Sequence, residues 1–138
     1  MDAKVTWKSG LSFTGRAESG FDVPLGVPAD HGGADDGTSP MELVLIALGG
    51  CTGMDVISIL KKKQQDVTRF EIALHGDRAE DHPKVYTDIT IEYIVTGHNI
   101  DPEAVKRAVE LSEGKYCSVN GMLKKSVNVK TVCTVKEG

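Results

Sequence analysis

The stretch that decides the fold runs from Ser39 to Lys63, SPMELVLIALGGCTGMDVISILKKK. It opens with a serine able to cap, Pro40 at the first helical position and Glu42 three residues after the cap, the spacing of a capping box. These signals predict a helix from Pro40 to about Lys63, with Lys61, Lys62 and Lys63 beside the negative end of its dipole. Inside it, Leu43 to Leu60 is 18 residues with one charge, Asp55, the lower limit for spanning a bilayer. A charge in the second half, three interrupting glycines and a single lysine anchor point instead to a buried core helix. A helix apolar nearly all round in a chain of 138 residues needs cover on several sides, and dimerisation is the simplest source of it.

Upstream, apolar and polar residues alternate through Val5 and Trp7, then Leu11, Phe13 and Ala17, then Phe21, Val23 and Leu25. Period two in short runs split by Ser9-Gly10 and Ser19-Gly20 predicts an antiparallel meander, with Arg16 on the face opposite Phe13 and Ala17. The acidic stretch GVPADHGGADDG at 26–37 reads as a mobile loop, and without a lysine after its glycines it is no phosphate cradle. Downstream, alternation at 68–78 and 84–96 about Asp81-His82-Pro83 predicts a long hairpin. Asp101-Pro102 caps a second helix with Val105, Ala108, Val109 and Ser112 facing inward and Gly114 at its end. A short apolar turn through Val119, Met122 and Leu123 leads to a last strand with Val127, Val129, Cys133 and Val135 on one face. The order βββ-α-ββ-α-α-β is an α+β arrangement, read as one domain over 1–138 around the long helix.

Composition bounds the function. Sixteen basic residues against twenty acidic ones give a formal charge of −4, and no basic run tracks a phosphate backbone, so nucleic acid is not expected as a partner. Three cysteines, widely spaced, make neither a secreted disulfide framework nor a CxxC metal or redox site. Met1-Asp2-Ala3-Lys4 lacks the pattern of an export leader, and a reducing cytoplasm is the expected compartment. His31, His75, His82 and His98 share no ligand spacing, so no metal is expected.

The glycines around Cys51 break a local rule. Gly49, Gly50 and Gly53 each cost about 1 kcal/mol in a helix interior, roughly 3 kcal/mol together. Either they permit the close approach of another backbone, as at a dimer interface, or they leave access to a thiol. Cys51 lies beyond the useful range of the helix dipole, and Asp55 one turn on disfavours its thiolate. Activation therefore needs a cation from elsewhere, for which Arg16 is the candidate, against the plain alternative of a surface arginine. Cys117 precedes a short helix whose positive end favours a thiolate, against the alternative of a packed cysteine. Cys133, alternating with valines, reads as core.

Across its length the chain resembles the OsmC/Ohr family, the osmotically inducible and organic hydroperoxide resistance proteins, and within it the YhfA-like branch. The residues that carry the likeness are Gly15-Arg16-Ala17, Thr38-Ser39-Pro40-Met41-Glu42-Leu43, Ala47-Leu48-Gly49-Gly50-Cys51 and Lys115-Tyr116-Cys117-Ser118-Val119. The resemblance implies an intertwined homodimer with antiparallel sheets around the long buried helices and sites at the subunit interface. It also implies a thiol peroxidase for organic hydroperoxides, without cofactor. Cys51 would be the peroxidatic thiolate, Cys117 the resolving thiol, Arg16 the cation over the thiolate, and a dithiol such as a lipoyl group the reductant. The family glutamate that orients the arginine directly follows the helix-starting proline; here Met41 holds that place and Glu42 is one residue on, rotated about 100° around the helix. Glu42 is thus either an orienting carboxylate or only half of a capping box. The other class of reading is a non-catalytic, redox-responsive or small-molecule-binding dimer.

Overall fold

A computed structural model describes residues 1–138, which form two compact units, 1–44 and 45–138. In the first unit β1 (Ala3–Ser9), β2 (Ser12–Ala17) and β3 (Asp22–Leu25) make the predicted antiparallel meander in sequence order. Gly10 turns the first hairpin at a φ of 52°, and Trp7 Nε1 donates to its carbonyl at 3.0 Å. Register places Val5 opposite Gly15 and Trp7 opposite Phe13 on one face, with Lys4, Arg16 and Asp22 in a row on the other. Val5 and Trp7 remain more than half exposed, at 58% and 63%. Three strands with a solvated tryptophan leave an apolar face in want of cover.

The acidic stretch, expected to be mobile, is folded on itself. Asp35 Oδ1 accepts from Ala29 N at 2.9 Å, and Asp36 Oδ2 accepts from Ser12 Oγ at 2.6 Å. Gly37 passes so close to the β3 backbone that a Cβ there would meet the Pro24 and Leu25 backbone at 2.7 Å. Asp35 is thus an acceptor within the loop, and Asp36 ties the loop to β2.

Helix α1 spans Pro40–Lys62, as its start signals predict. The capping box forms in both directions: Ser39 N donates to Glu42 Oε1 at 3.1 Å, and Glu42 N donates to Ser39 Oγ at 3.3 Å. By length and composition α1 is apolar enough to cross a membrane, with mean hydropathy 2.1 in its best stretch. Its buried residues, Leu48, Gly49, Thr52, Val56 and Leu60, instead mark one stripe at helical spacing.

In the second unit β4 (Asp66–Arg78) and β5 (Tyr86–His98) form the long antiparallel hairpin, and β6 (Asn128–Glu137) completes the sheet in the order β4-β5-β6. The pairing of β5 with β6 is parallel, where antiparallel sheets were expected. The reason is the connection: α2 (Pro102–Leu111) and α3 (Ser118–Leu123) carry the chain back before β6 begins, so it re-enters the sheet in the direction of β5. Asp101 caps α2, accepting from Glu103 N at 3.0 Å. Gly114 does not end that helix; α2 stops at Leu111 and a single π turn, Ser112–Tyr116, follows.

Ile89, Ile91, Tyr93 and Val95 of β5 are fully buried on one face of the sheet, as are Val105 and Ala108 of α2. Each such aliphatic side chain contributes about 1.5–3 kcal/mol. Two of the three helical glycines are explained here. A Cβ on Gly49 would lie 2.7 Å from Leu74 Cδ1, and one on Gly53 would lie 2.8 Å from Ile72 Cδ1, so α1 sits close on β4 because these side chains are absent. Gly50 faces open space. Cys133 departs from its expectation as core: it shares a face with Tyr93, opposite it in register, but is exposed. Strand β6 is the sheet edge, so one flank of Cys133 has no neighbouring strand.

Candidate thiol site

Cys51, on α1, is half-buried. Cys117 ends the π turn, caps α3 and is 4% exposed. Cys51 is a neighbour of Cys117, and it and the Asp55 carboxylate are near enough to act on the Cys117 thiol. The sequence-based expectation for Cys117 is met in geometry and overturned in sign. Asn120 N, at the start of α3, donates to Cys117 Sγ at 3.4 Å and favours the thiolate. Burial outweighs that bond, and together with Cys51 and Asp55 it pushes the thiol up to about 11. Cys117 is therefore a protonated thiol at neutral pH.

The π turn that carries Cys117 is tied down at its head. Ser112 O accepts from Cys117 N at 2.8 Å, closing the turn. Ser112 Oγ donates to Asp55 Oδ2 at 2.9 Å and meets Thr52 Oγ1 at 2.7 Å; Thr52 Oγ1 in turn meets Tyr93 Oη at 2.8 Å. Tyr93 Oη donates to Glu113 Oε1 at 3.1 Å, and Thr131 Oγ1 donates to the same carboxylate at 2.8–2.9 Å. Thr52, Tyr93 and Ser112 are all fully buried. Because Tyr93 and Ser112 spend their protons on carboxylates, the single Thr52 proton serves one of its two neighbours at a time. Burial drives the Tyr93 phenol far above the ordinary tyrosine range, so it stays a donor. Asn120 Nδ2 adds a tie from α3 to Glu113 O at 3.2 Å.

Beside this network lies a cleft of about 480 Å³, lined by Met54, Asp55, Ile59, Lys62, Leu111 and Tyr116. Its walls are mainly apolar, with Asp55 and Lys62 as the charged groups.

The remaining candidates belong to the first unit. Arg16 Nε is ion-paired with Asp22 Oδ1 at 2.7 Å, and both side chains are more than half exposed. The Glu42 carboxylate bonds Ser39, and that bond holds it below the usual carboxylate range. Arg16 and Glu42 thus each have another partner, and Glu42 fills the capping-box role that was one of its two readings. His31, His75 and His98 sit against Asp30, Asp77 and Glu137.

Sequence reasoning missed Asp22, Thr52, Tyr93, Ser112 as a polar group, and Glu113. Signals exist for two of them: an acid facing Arg16 across an antiparallel pair, and a tyrosine in a run of buried aliphatics, whose hydroxyl demands a partner. The hydroxyl partners of Tyr93, Thr52 and Glu113, come from two other elements, and nothing local points to them.

Comparison with known proteins agrees with this architecture. The family model for OsmC-like protein matches residues 32–132. The chain is 46% identical over 129 residues to Protein YhfA of Escherichia coli K12, covering 94% of this chain and 93% of that protein. It superposes on the crystal structure of a hypothetical protein from Aquifex aeolicus with a TM-score of 0.88 and 37% identity, covering 99% and 96% of the two chains. It shares its fold with the organic hydroperoxide resistance protein OhrB of Bacillus subtilis, at a TM-score of 0.64 and 21% identity, with 96% and 98% covered. On the matched span and on the identity to YhfA across nearly the whole length, the chain belongs to the OsmC-like family.

Proposed function

We propose that the protein is a thiol peroxidase that reduces organic hydroperoxides with Cys51 and Cys117 as its redox pair. The observation that carries this reading is the neighbourhood of the two thiols: a half-buried cysteine near enough to a buried, protonated one to act on it. The Cys51 thiolate attacks the terminal peroxide oxygen, the O–O bond breaks, and the alcohol leaves with a proton, making a Cys51 sulfenic acid. The Cys117 thiol then bonds to the Cys51 sulfur, and hydroxide leaves with the Cys117 proton as water. An external dithiol, a lipoyl group being one such, reduces the disulfide and resets both thiols. A name for an organic hydroperoxide resistance protein among the structural relatives supports the substrate class.

Arg16 is the cation for the Cys51 thiolate and the peroxide oxygens, acting once released from Asp22. Glu42 secures the start of the helix that carries Cys51. The apolar cleft beside Asp55 suits the organic part of the substrate. The unit of function is a homodimer in the cytoplasm, in which a second copy covers the exposed Ile46 and Met54 of α1 and the exposed Trp7 sheet face.

The test is peroxide consumption by reduced protein with cumene hydroperoxide, tert-butyl hydroperoxide and hydrogen peroxide, supplied with dithiothreitol or dihydrolipoamide. Sustained turnover that Cys51→Ser abolishes is the expected result; equal slow loss with both proteins sinks the proposal. The existing Arg16–Asp22 pair and Met41 at the orienting position favour one second reading, a redox-responsive dimer without turnover. That reading predicts one disulfide per chain and then silence.

A further inference from the structure

The buried hydroxyl chain gathers at one point in the fold, the head of the turn that carries Cys117. Ser112 ties that turn to α1 through Thr52 and Asp55, and Glu113 ties it to the sheet through Tyr93 and Thr131. Thr52 directly follows Cys51, and Cys117 N bonds the carbonyl of Ser112. The same few hydrogen bonds therefore fix both thiols, one through the next residue on α1 and the other through closure of the turn. A core with no such duty has little use for three hydroxyls in a row, because burying them brings desolvation costs that an apolar core avoids. A π turn is likewise a rare device, found mostly where a side chain must be aimed.

We infer that Thr52, Tyr93 and Ser112 are positioning residues for disulfide formation, holding the Cys117 turn in register with Cys51. This rests on the reading of Cys51 and Cys117 as a redox pair, and goes beyond it by naming what sets the effective concentration of one thiol at the other. The hydrogen bonds of Thr52, Tyr93 and Ser112 go to one another and to carboxylates, so the three act through the turn and through α1.

The test needs no peroxide. Reduced full-length protein is equilibrated with mixtures of reduced and oxidised dithiothreitol. In that exchange Cys51 and Cys117 give two electrons and two protons to the reagent as one S–S bond forms and the reagent's breaks. The disulfide fraction is read by intact mass and by peptide mapping. Tyr93→Phe, Thr52→Val and Ser112→Ala, which keep most of the volume, are expected to lower the equilibrium constant for the disulfide by about tenfold or more, as lost orientation does. Thr52→Ser, which keeps the hydroxyl, is expected to stay within about twofold of wild type. Val56→Ala loosens the same helix without touching a hydroxyl and is also expected to change little. Variants that match wild type, or a Val56→Ala effect as large as theirs, overturn the positioning role while leaving the redox pair intact. Failure of wild type itself to form a Cys51–Cys117 disulfide overturns the redox pair.

Discussion

Cys51 neighbours Cys117 and helps to raise it, yet the two are placed unlike: Cys117 is buried and pushed up to about 11, and Cys51 is half-buried on α1. A thiol attack needs a thiolate, so in the proposed pair Cys117 condenses with Cys51 only as it gives up its proton. Brief treatment of the reduced protein with diamide is expected to join Cys51 to Cys117 and to leave Cys133 free, although Cys133 is the exposed one. Peptide mapping by mass spectrometry reads the pairing. Cys133→Ala should leave it unchanged, and a disulfide involving Cys133 would contradict the site described above.

The same burial makes Cys117 a pH-dependent part of the fold. Its value is raised in the folded chain from an ordinary 9.0 to about 11, so the native state holds this proton more tightly than the unfolded state does. The contribution to stability is complete below about pH 9 and is lost as pH rises through about 11, amounting to at most about 3 kcal/mol. Urea unfolding of the reduced protein across that window is expected to show a steeper decline than Cys117→Ala does, the remainder coming from Tyr93 and Cys133. Parallel curves for wild type and variant would mean that the thiol is not buried as described.

At the start of α1 the capping box makes a simpler prediction. Ser39→Ala removes the acceptor for Glu42 N and should destabilise the protein by about 1 kcal/mol, read as a lower midpoint in thermal unfolding. Ser39→Asp keeps an acceptor at the cap and should restore most of the loss.

The capping box was legible because every partner lies within three residues of sequence. So were the strands, whose alternation is local, and the inward set Val105, Ala108, Val109 and Ser112, all of them buried. What sequence could not supply depends on distant elements. Thr52 and Ser112 are 60 residues apart and hydrogen-bonded, and no periodicity connects them. Parallel pairing of β5 with β6 depends on how α2 and α3 return the chain, and the exposure of Cys133 depends on β6 being an edge. The sign of the Cys117 shift turned on burial, which competes with a helix N-terminus that sequence does reveal. Resemblance named the two cysteines as a pair; it did not name the hydroxyl chain that fixes the turn between them.

The last glycine separates packing within the chain from packing between chains. Gly49 and Gly53 are filled against by Leu74 and Ile72, whereas Gly50 lies in the open between exposed Ile46 and Met54, each one turn away on the same side of α1. In the homodimer proposed above, that stripe of apolar and small residues would be the contact for the second copy. In the chain alone, Gly50→Ala meets nothing and gains helix propensity of about 1 kcal/mol, whereas Gly49→Ala must first push Leu74 aside and gains less. A larger side chain discriminates further. If two α1 helices meet at Gly50, Gly50→Leu holds them apart and should convert the dimer to a folded monomer, seen by size-exclusion chromatography with light scattering and an unchanged far-ultraviolet circular dichroism spectrum. Retention of a dimer by Gly50→Leu would move the interface away from this stripe and leave the glycine as an opening beside Cys51.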